Sequence, residues 1–141
     1  VAAVHAGWRG TVNRILAKTL HRMQSAYGTE GTDIIACIGP GISLDSFAVV
    51  DEVYEAFRTE NFPMEYISVW KPETHKYHID LWAANRLQLS DFGVPPRQIE
   101  NAGICTYRQH EDFFSARRLG IKSGRILSGI MLNRQEKEER K

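Results

Sequence analysis

Hydrophobic and polar residues follow two different periods along this chain of 141 residues, and the switches between them mark its elements. Val1 to Val4 is a short apolar run closed by His5, Gly7 and Gly10, which predicts a buried strand and a tight glycine turn. From Thr11 the period lengthens to that of a helix. Val12, Ile15, Leu16, Leu20 and Met23 share one face, while Asn13, Arg14, Lys18, His21 and Arg22 look toward solvent. Gly28 and Gly31 punctuate the end of that helix. Asp33 to Ile38 has the near-continuous apolar character of a central strand covered on both faces, and Gly39-Pro40-Gly41 should end it, since ladder pairing does not run easily through such a turn.

The alternation continues downstream. Ser46 to Val50 predicts a short strand, and Asp51 starts a helix whose first turn its carboxylate can cap, with Val53, Tyr54 and Phe57 as its apolar stripe. Tyr66 to Trp70 and Tyr77 to Ile79 predict strands on either side of a loop from Lys71 to Lys76. Asp80 predicts the cap of a helix carrying Leu81, Ala84, Leu87 and Leu89, which closes at Phe92-Gly93 ahead of Pro95-Pro96. Ile99 to Thr106 and Arg125 to Leu132 predict the last strands. No internal repeat or Gly/Ser/Pro linker divides the chain. The pattern therefore predicts a single α/β (or α+β) domain over residues 1–133, with a mixed β-sheet flanked by helices, and a polar, disordered tail over 134–141.

Composition narrows the class. With 43% hydrophobic, 25% charged and 10% aromatic residues, the chain has an ordinary globular make-up. A domain of this length buries about two-thirds of its unfolded surface without a disulfide or metal staple. The formal charge is +1, and no stretch concentrates the 18 Lys and Arg, which argues against nucleic acid as a partner. Cys37 and Cys105 are too few for a secreted disulfide framework and form no C-x-x-C, predicting reduced thiols and a cytoplasmic setting. No apolar run approaches a membrane span and the start lacks a signal-peptide layout, so no membrane association is expected. Val1 stands where a Met would begin a chain, and a strand starting at the first residue predicts that a preceding segment is missing.

Several places carry candidate chemistry. His5-Ala6-Gly7-Trp8-Arg9-Gly10-Thr11 puts an imidazole at a strand end, a guanidinium and two glycines before a predicted helix start, a setting that favours an anion. His5 suits a metal ligand or an acid–base group; the alternative is a satisfied core histidine beside a core Trp8, with Arg9 paired to a carboxylate. Gly39-Pro40-Gly41 forms either a backbone wall for a ligand or a plain turn. His75 and His78 have H-x-x-H spacing, but in a loop-to-strand segment they need not converge. Phe113-Phe114-Ser115-Ala116-Arg117-Arg118 predicts aromatics that anchor a loop while one arginine turns inward, for an anion or for a structural salt bridge. Cys105 becomes a nucleophile only if a histidine or a helix terminus lowers its pKa, and Cys37 reads as inert core.

Taken together, His5 to Gly10, Ile38 to Ile42, His78 to Arg86, and Cys105-Thr106-Tyr107 with Phe113 to Arg118 resemble, in order, the motifs of the YfiH-like laccase-domain family. The resemblance implies the C-terminal portion of that domain. Members are described as polyphenol oxidases and as purine nucleoside phosphorylases with adenosine deaminase and methylthioadenosine phosphorylase activities; a role in correcting peptidoglycan precursors has also been proposed. It implies a metal, zinc or alternatively copper, held by two histidines and a cysteine. His5 matches one ligand, and the other two belong to segments preceding this motif, so neither Cys37 nor Cys105 is the matching cysteine. It also implies a purine nucleoside as substrate and inorganic phosphate as co-substrate, with Arg9 assisted by Arg117 or Arg118 on the phosphate; Gly39, from the turn after the central strand, is a further candidate for binding substrate or phosphate. The competing expectations are a copper-dependent polyphenol oxidase, against which the lack of any H-x-H pair argues, and a catalytically silent chain that binds an anion at its strand-to-helix turn. The oligomeric state is not legible.

Overall fold

The computed structural model describes residues 1–133; the tail predicted over 134–141 lies outside the described residues. The first helical pattern folds as two helices, α1 (Trp8–Val12) and α2 (Ile15–Tyr27), and begins three residues earlier than its periodicity suggests. The break falls at Arg14, which takes the left-handed conformation at φ 56°. Its side chain holds the corner by donating to the Glu60 carbonyl (2.9 Å) and lying 4.1 Å over the Phe62 ring. Gly28, at φ 68°, closes α2 as the sequence predicts. Val1 to Val4 does not form the predicted strand. It pairs with no described strand, and an apolar run without a ladder partner has nothing to hold it as one.

β1 (Ala36–Ile38) is shorter than expected and pairs in parallel with β4 (Ile99–Asn101), Ala36 opposite Ile99. It is not covered on both faces, since Cys37 is exposed, as is Ile35 just ahead of the strand at 81%. Pairing nevertheless resumes past the Gly-Pro-Gly turn. Gly41 bridges Cys105, its N–H donating to the Ile104 carbonyl (3.1 Å) and its carbonyl accepting from Thr106 N (3.0 Å).

The second ladder is antiparallel. After α3 (Asp51–Thr59) and the single turn α4 (Met64–Ile67), β2 (Ser68–Lys71) pairs with β3 (Lys76–Ile79), Ser68 opposite Ile79. The predicted strand at Ser46 to Val50 survives as a flank of β3: Ala48 bridges His78, Val49 N donates to the Tyr77 carbonyl (2.9 Å) and Ile79 N to the Phe47 carbonyl (3.2 Å). Asp51 lies inside the first turn of α3 and makes no side-chain cap. Asp80 does cap α5 (Leu81–Asp91), accepting from Ala83 N at 2.9 Å. The architecture is thus α/β with parallel and antiparallel pairing, divided between two small sheets.

α5 joins the two halves of the core. Leu81 and Ala84 pack with Val12, Phe47, Val53, Phe57, Ile67 and Ile79, whereas Leu89 packs with Leu20, Ile34, Val94 and Ile99. Beyond α6 (Ala116–Leu119) the expected strand from Arg125 to Leu132 is absent. Leu127 is 97% exposed, and no described strand runs beside this segment to satisfy its backbone.

Candidate functional site

The turn from His5 to Thr11 is braced from beneath by α5. Thr11 Oγ1 donates to the Ala6 carbonyl (3.1 Å) and accepts from Asn85 Nδ2 (3.1 Å), whose second hydrogen goes to the Leu81 carbonyl (2.8 Å). Gln88 Nε2 donates to the Thr11 carbonyl (3.3 Å), while its Oε1 accepts from Ala17 N (3.1 Å), so one side chain ties α1 to α2. Thr11, Asn85 and Gln88 are all buried, and among the described residues Asn85 Oδ1 and Trp82 Nε1 are the buried side-chain atoms without a partner. Motif spacing does not single out this brace. Its signal was there: Leu81, Ala84, Asn85, Gln88 and Leu89 make one continuous helical stripe, with two amides where apolar residues belong.

Above the brace, His5 is exposed and its ring lies over Gly7, where an added Cβ would come within 3.1 Å of Nε2. It is therefore not a core histidine. Trp8 is half-buried against the core, and the exposed Arg9 guanidinium sits 4.5 Å over its ring. Arg9 lies inside α1, a helix of five residues, so the strong helix end expected just past Gly10 is not formed there.

Trp8 opens onto a cavity of about 230 Å³ lined also by Phe47, Ala48, Val49, Val50, Val53, Lys76 and Arg117. Ser115 caps α6 through Arg118 N (3.4 Å) and sends the two arginines apart. Arg117 donates from Nη1 to the Ala48 carbonyl (2.8 Å) and lies 5.0 Å over the Phe47 ring. Arg118 turns the other way, donating to the Tyr107 carbonyl (3.4 Å) over the Tyr107 ring. Of the residues singled out in the sequence, Arg117 lines the cavity with Trp8; His5, Arg9, Gly39 and Arg118 do not. Phe113 is half-buried, but Phe114 is exposed and packs on Gly124 rather than anchoring the loop in the core.

Among the described residues, Arg9, Lys76, Arg117 and Arg118 form no ion pair, whereas Lys71 (2.6 Å) and Arg108 (3.3 Å) both reach Asp45. The hydrogen bond and charge of Lys71, with help from Arg108, hold the Asp45 carboxyl below its usual range. A second depression carries Asp91 alongside Arg14 and His21, so both signs of charge meet there.

Cys105 is buried. Burial pushes its thiol up, but hydrogen bonds from Ser43 Oγ (3.1 Å) and Ser43 N (3.4 Å), with Ser46 Oγ at 3.6 Å and the Arg108 backbone, outweigh it and bring the pKa down to about 7. No histidine takes part. Cys37 is exposed, which corrects its reading as core. His75 lies in the turn at φ 49°, while His78 is buried with Nδ1 on the Leu44 carbonyl (2.9 Å) and Nε2 on Thr74 Oγ1 (3.0 Å). A carbonyl only accepts, so His78 Nδ1 carries a proton and neither histidine is free to converge on a metal with the other. No group of three or more His, Cys, Asp or Glu side chains comes together among the described residues. His5 alone is one donor where a zinc or copper centre needs three or four, so the described residues do not by themselves make up such a centre. Among the described residues, no helix is long and apolar enough to cross a membrane.

Fold and site together describe a small α/β domain with a glycine turn at its start and a cavity that Trp8 shares with two cations, Lys76 and Arg117. Residues 1–133 match the family model described as multi-copper polyphenol oxidoreductase laccase, and the chain belongs to that family, in its YfiH-like form. It is 63% identical over 134 residues to a purine nucleoside phosphorylase of Bacteroides thetaiotaomicron, covering 95% of this chain and 50% of that protein. It is 49% identical over 130 residues to the adenosine deaminase RL5 of an unknown prokaryotic organism, covering 92% and 49%. In structure it is similar to YlmD from Geobacillus stearothermophilus, with a TM-score of 0.71 and 34% identity over 82% of this chain and 43% of that one. The chain spans about half the length of the curated relatives it matches.

Proposed function

We propose that the chain is the C-terminal portion of a YfiH-like domain in a cytoplasmic protein that cleaves purine nucleosides, adenosine, inosine or methylthioadenosine, by phosphorolysis. The observation that carries this reading is Arg117, without an ion-pair partner among the described residues, lining one cavity with the indole of Trp8. In the reaction a phosphate oxygen forms a bond to C1′ as the C1′–N9 bond breaks. The bonding pair leaves with the purine, which takes up a proton, and ribose 1-phosphate remains. A guanidinium held in place by the Ala48 carbonyl suits the phosphate because it meets two oxygens at once and needs little reorganisation. Arg9, stacked on the other partner of the cavity, Trp8, adds positive field at the same end of the molecule. His5, exposed beside Gly7, is the one ligand this chain offers to a zinc-type centre completed by residues of a preceding segment. Gly39 and Arg118 stay outside this assignment, since neither lines the cavity.

The names of the relatives support the reading, and that of the deaminase adds a second activity, replacement of the 6-amino group of adenosine by water with release of ammonia. The test is made on the complete natural protein, with adenosine and inosine in the presence and absence of inorganic phosphate. Phosphate-dependent release of free base and ribose 1-phosphate is expected. Release of no base from any purine nucleoside, with copper-dependent oxidation of phenols instead, would overturn it.

A further inference from the structure

The cavity beside Trp8 has a feature that the motifs do not contain: a second cation, Lys76. Lys76 opens β3, and Arg117 arrives from α6 on a distant part of the chain, yet both line one cavity. The ladder between Phe47–Val49 and β3 fixes the position of Lys76 beside the cavity floor, because Val49 N donates to Tyr77 O and Ile79 N to Phe47 O. Arg117 is fixed through the same segment, by its bond to Ala48.

All the other lining residues, Trp8, Phe47, Ala48, Val49, Val50 and Val53, are apolar, and none is a carboxylate. Two like charges that line one cavity favour an anion between them, since it is attracted to both. The fold neutralises Lys71, Arg58 and Arg108 with Asp45 or Glu55, and leaves this pair without such a partner among the described residues. Arg117 uses one of its five N–H donors on Ala48, so the others remain for a ligand. At about 230 Å³ the cavity is below the ~300–1,000 Å³ of a site for a whole drug-sized ligand, which makes it a subsite for a small anion.

We propose that Lys76 and Arg117 together form the subsite that receives the phosphate dianion. The identity of the ligand rests on the phosphorolysis reading; the existence of the subsite does not. Lys76 is exposed at the start of its strand, so its replacement leaves the core intact.

The experiment is calorimetric titration of the complete natural protein with inorganic phosphate, for wild type, Lys76→Met, Lys76→Arg and Arg117→Met, with Lys122→Met as a control for loss of charge elsewhere. The wild type should bind one phosphate saturably. Lys76→Met and Arg117→Met should each weaken binding about ten-fold, as expected for losing one charge-assisted contact. Lys76→Arg and Lys122→Met should stay within about two-fold of wild type. Circular dichroism establishes that each variant is folded. Unsaturable binding by the folded wild type, or wild-type affinity in Lys76→Met, overturns the subsite. Turnover separates the two claims. If Lys76-dependent phosphate binding is seen but no nucleoside is cleaved, the subsite stands and the phosphorolysis reading falls. If phosphorolysis proceeds with an unchanged phosphate KM in Lys76→Met, the subsite falls and the reading stands.

Discussion

At the scale of single residues, the chemistry of this chain is set by which polar groups the fold leaves paired. Cys105 shows how a buried thiol is tuned without a neighbouring histidine or metal. Desolvation alone would raise its pKa, but the hydroxyl and backbone of Ser43, Ser46 and the Arg108 backbone favour the thiolate more strongly and bring it to about 7, from the ordinary 9.0. In a Cys37→Ser background, which removes the exposed thiol, the ultraviolet absorbance of the thiolate should therefore titrate near pH 7. Ser43→Ala should move that midpoint upward; a midpoint unmoved by the substitution would show that Ser43 does not hold the sulfur. The same shift fixes the sign of a stability effect. A group whose folded pKa is depressed stabilises the native state fully above its unfolded pKa of about 9, and that contribution is lost as the pH falls through 7. Urea midpoints of the Cys37→Ser protein, compared with those of Cys37→Ser/Cys105→Ser, should then diverge as the pH rises from 7 to 9.

At the scale of elements, α5 organises the molecule because one face does two jobs. Leu81, Ala84 and Leu89 bind both halves of the core, and Asn85 and Gln88 on the same face hold the turn that carries His5 and Trp8. Gln88→Leu keeps the helix and its volume but leaves Ala17 N and the Thr11 carbonyl without their partner. It should destabilise the chain by about 1–3 kcal/mol, read as a lowered urea midpoint at unchanged m value. A loss below the error of the measurement would mean that water replaces the amide. The sequence made α5 legible, since the Asp80 cap, the apolar spacing and the Phe92-Gly93 stop are all local signals, and each lies where it was expected. It did not make the brace legible, because an amide at a buried position signals a hydrogen bond without saying to what. The first helix was misjudged for a related reason. Its apolar period runs unbroken across Asn13-Arg14, and the turn there depends on Arg14 reaching Glu60 and Phe62, far away in sequence.

At the scale of the whole molecule, non-local pairing decides which apolar runs become strands. Val1 to Val4 and Arg125 to Leu132 have the composition of strands, but a strand exists only where another supplies its ladder, and neither finds one among the described residues. The candidate site divides the same way. The guanidinium of Arg117 was marked by its motif, but its convergence with Lys76 arises from the pairing of β3 with Phe47–Val49 and could not be read from spacing. The structure also ranks the segments by how readily they meet a protease. Cleavage needs an extended stretch free of packing, and the segment holding Lys122 and Arg125 is exposed and outside any helix or strand. Arg86, by contrast, is half-buried in α5 and donates to the Ile99 carbonyl at 3.4 Å. Brief trypsin digestion followed by mass spectrometry should find cuts after Lys122 and Arg125, apart from any within 134–141, before cuts in α2, α3 or α5. The product ending near residue 122 should keep the helical circular dichroism of the intact chain, because both core clusters lie between Val12 and Ile99. Early cleavage at Arg86 would contradict this, showing that α5 opens on its own and that the two clusters do not fold as one unit through it.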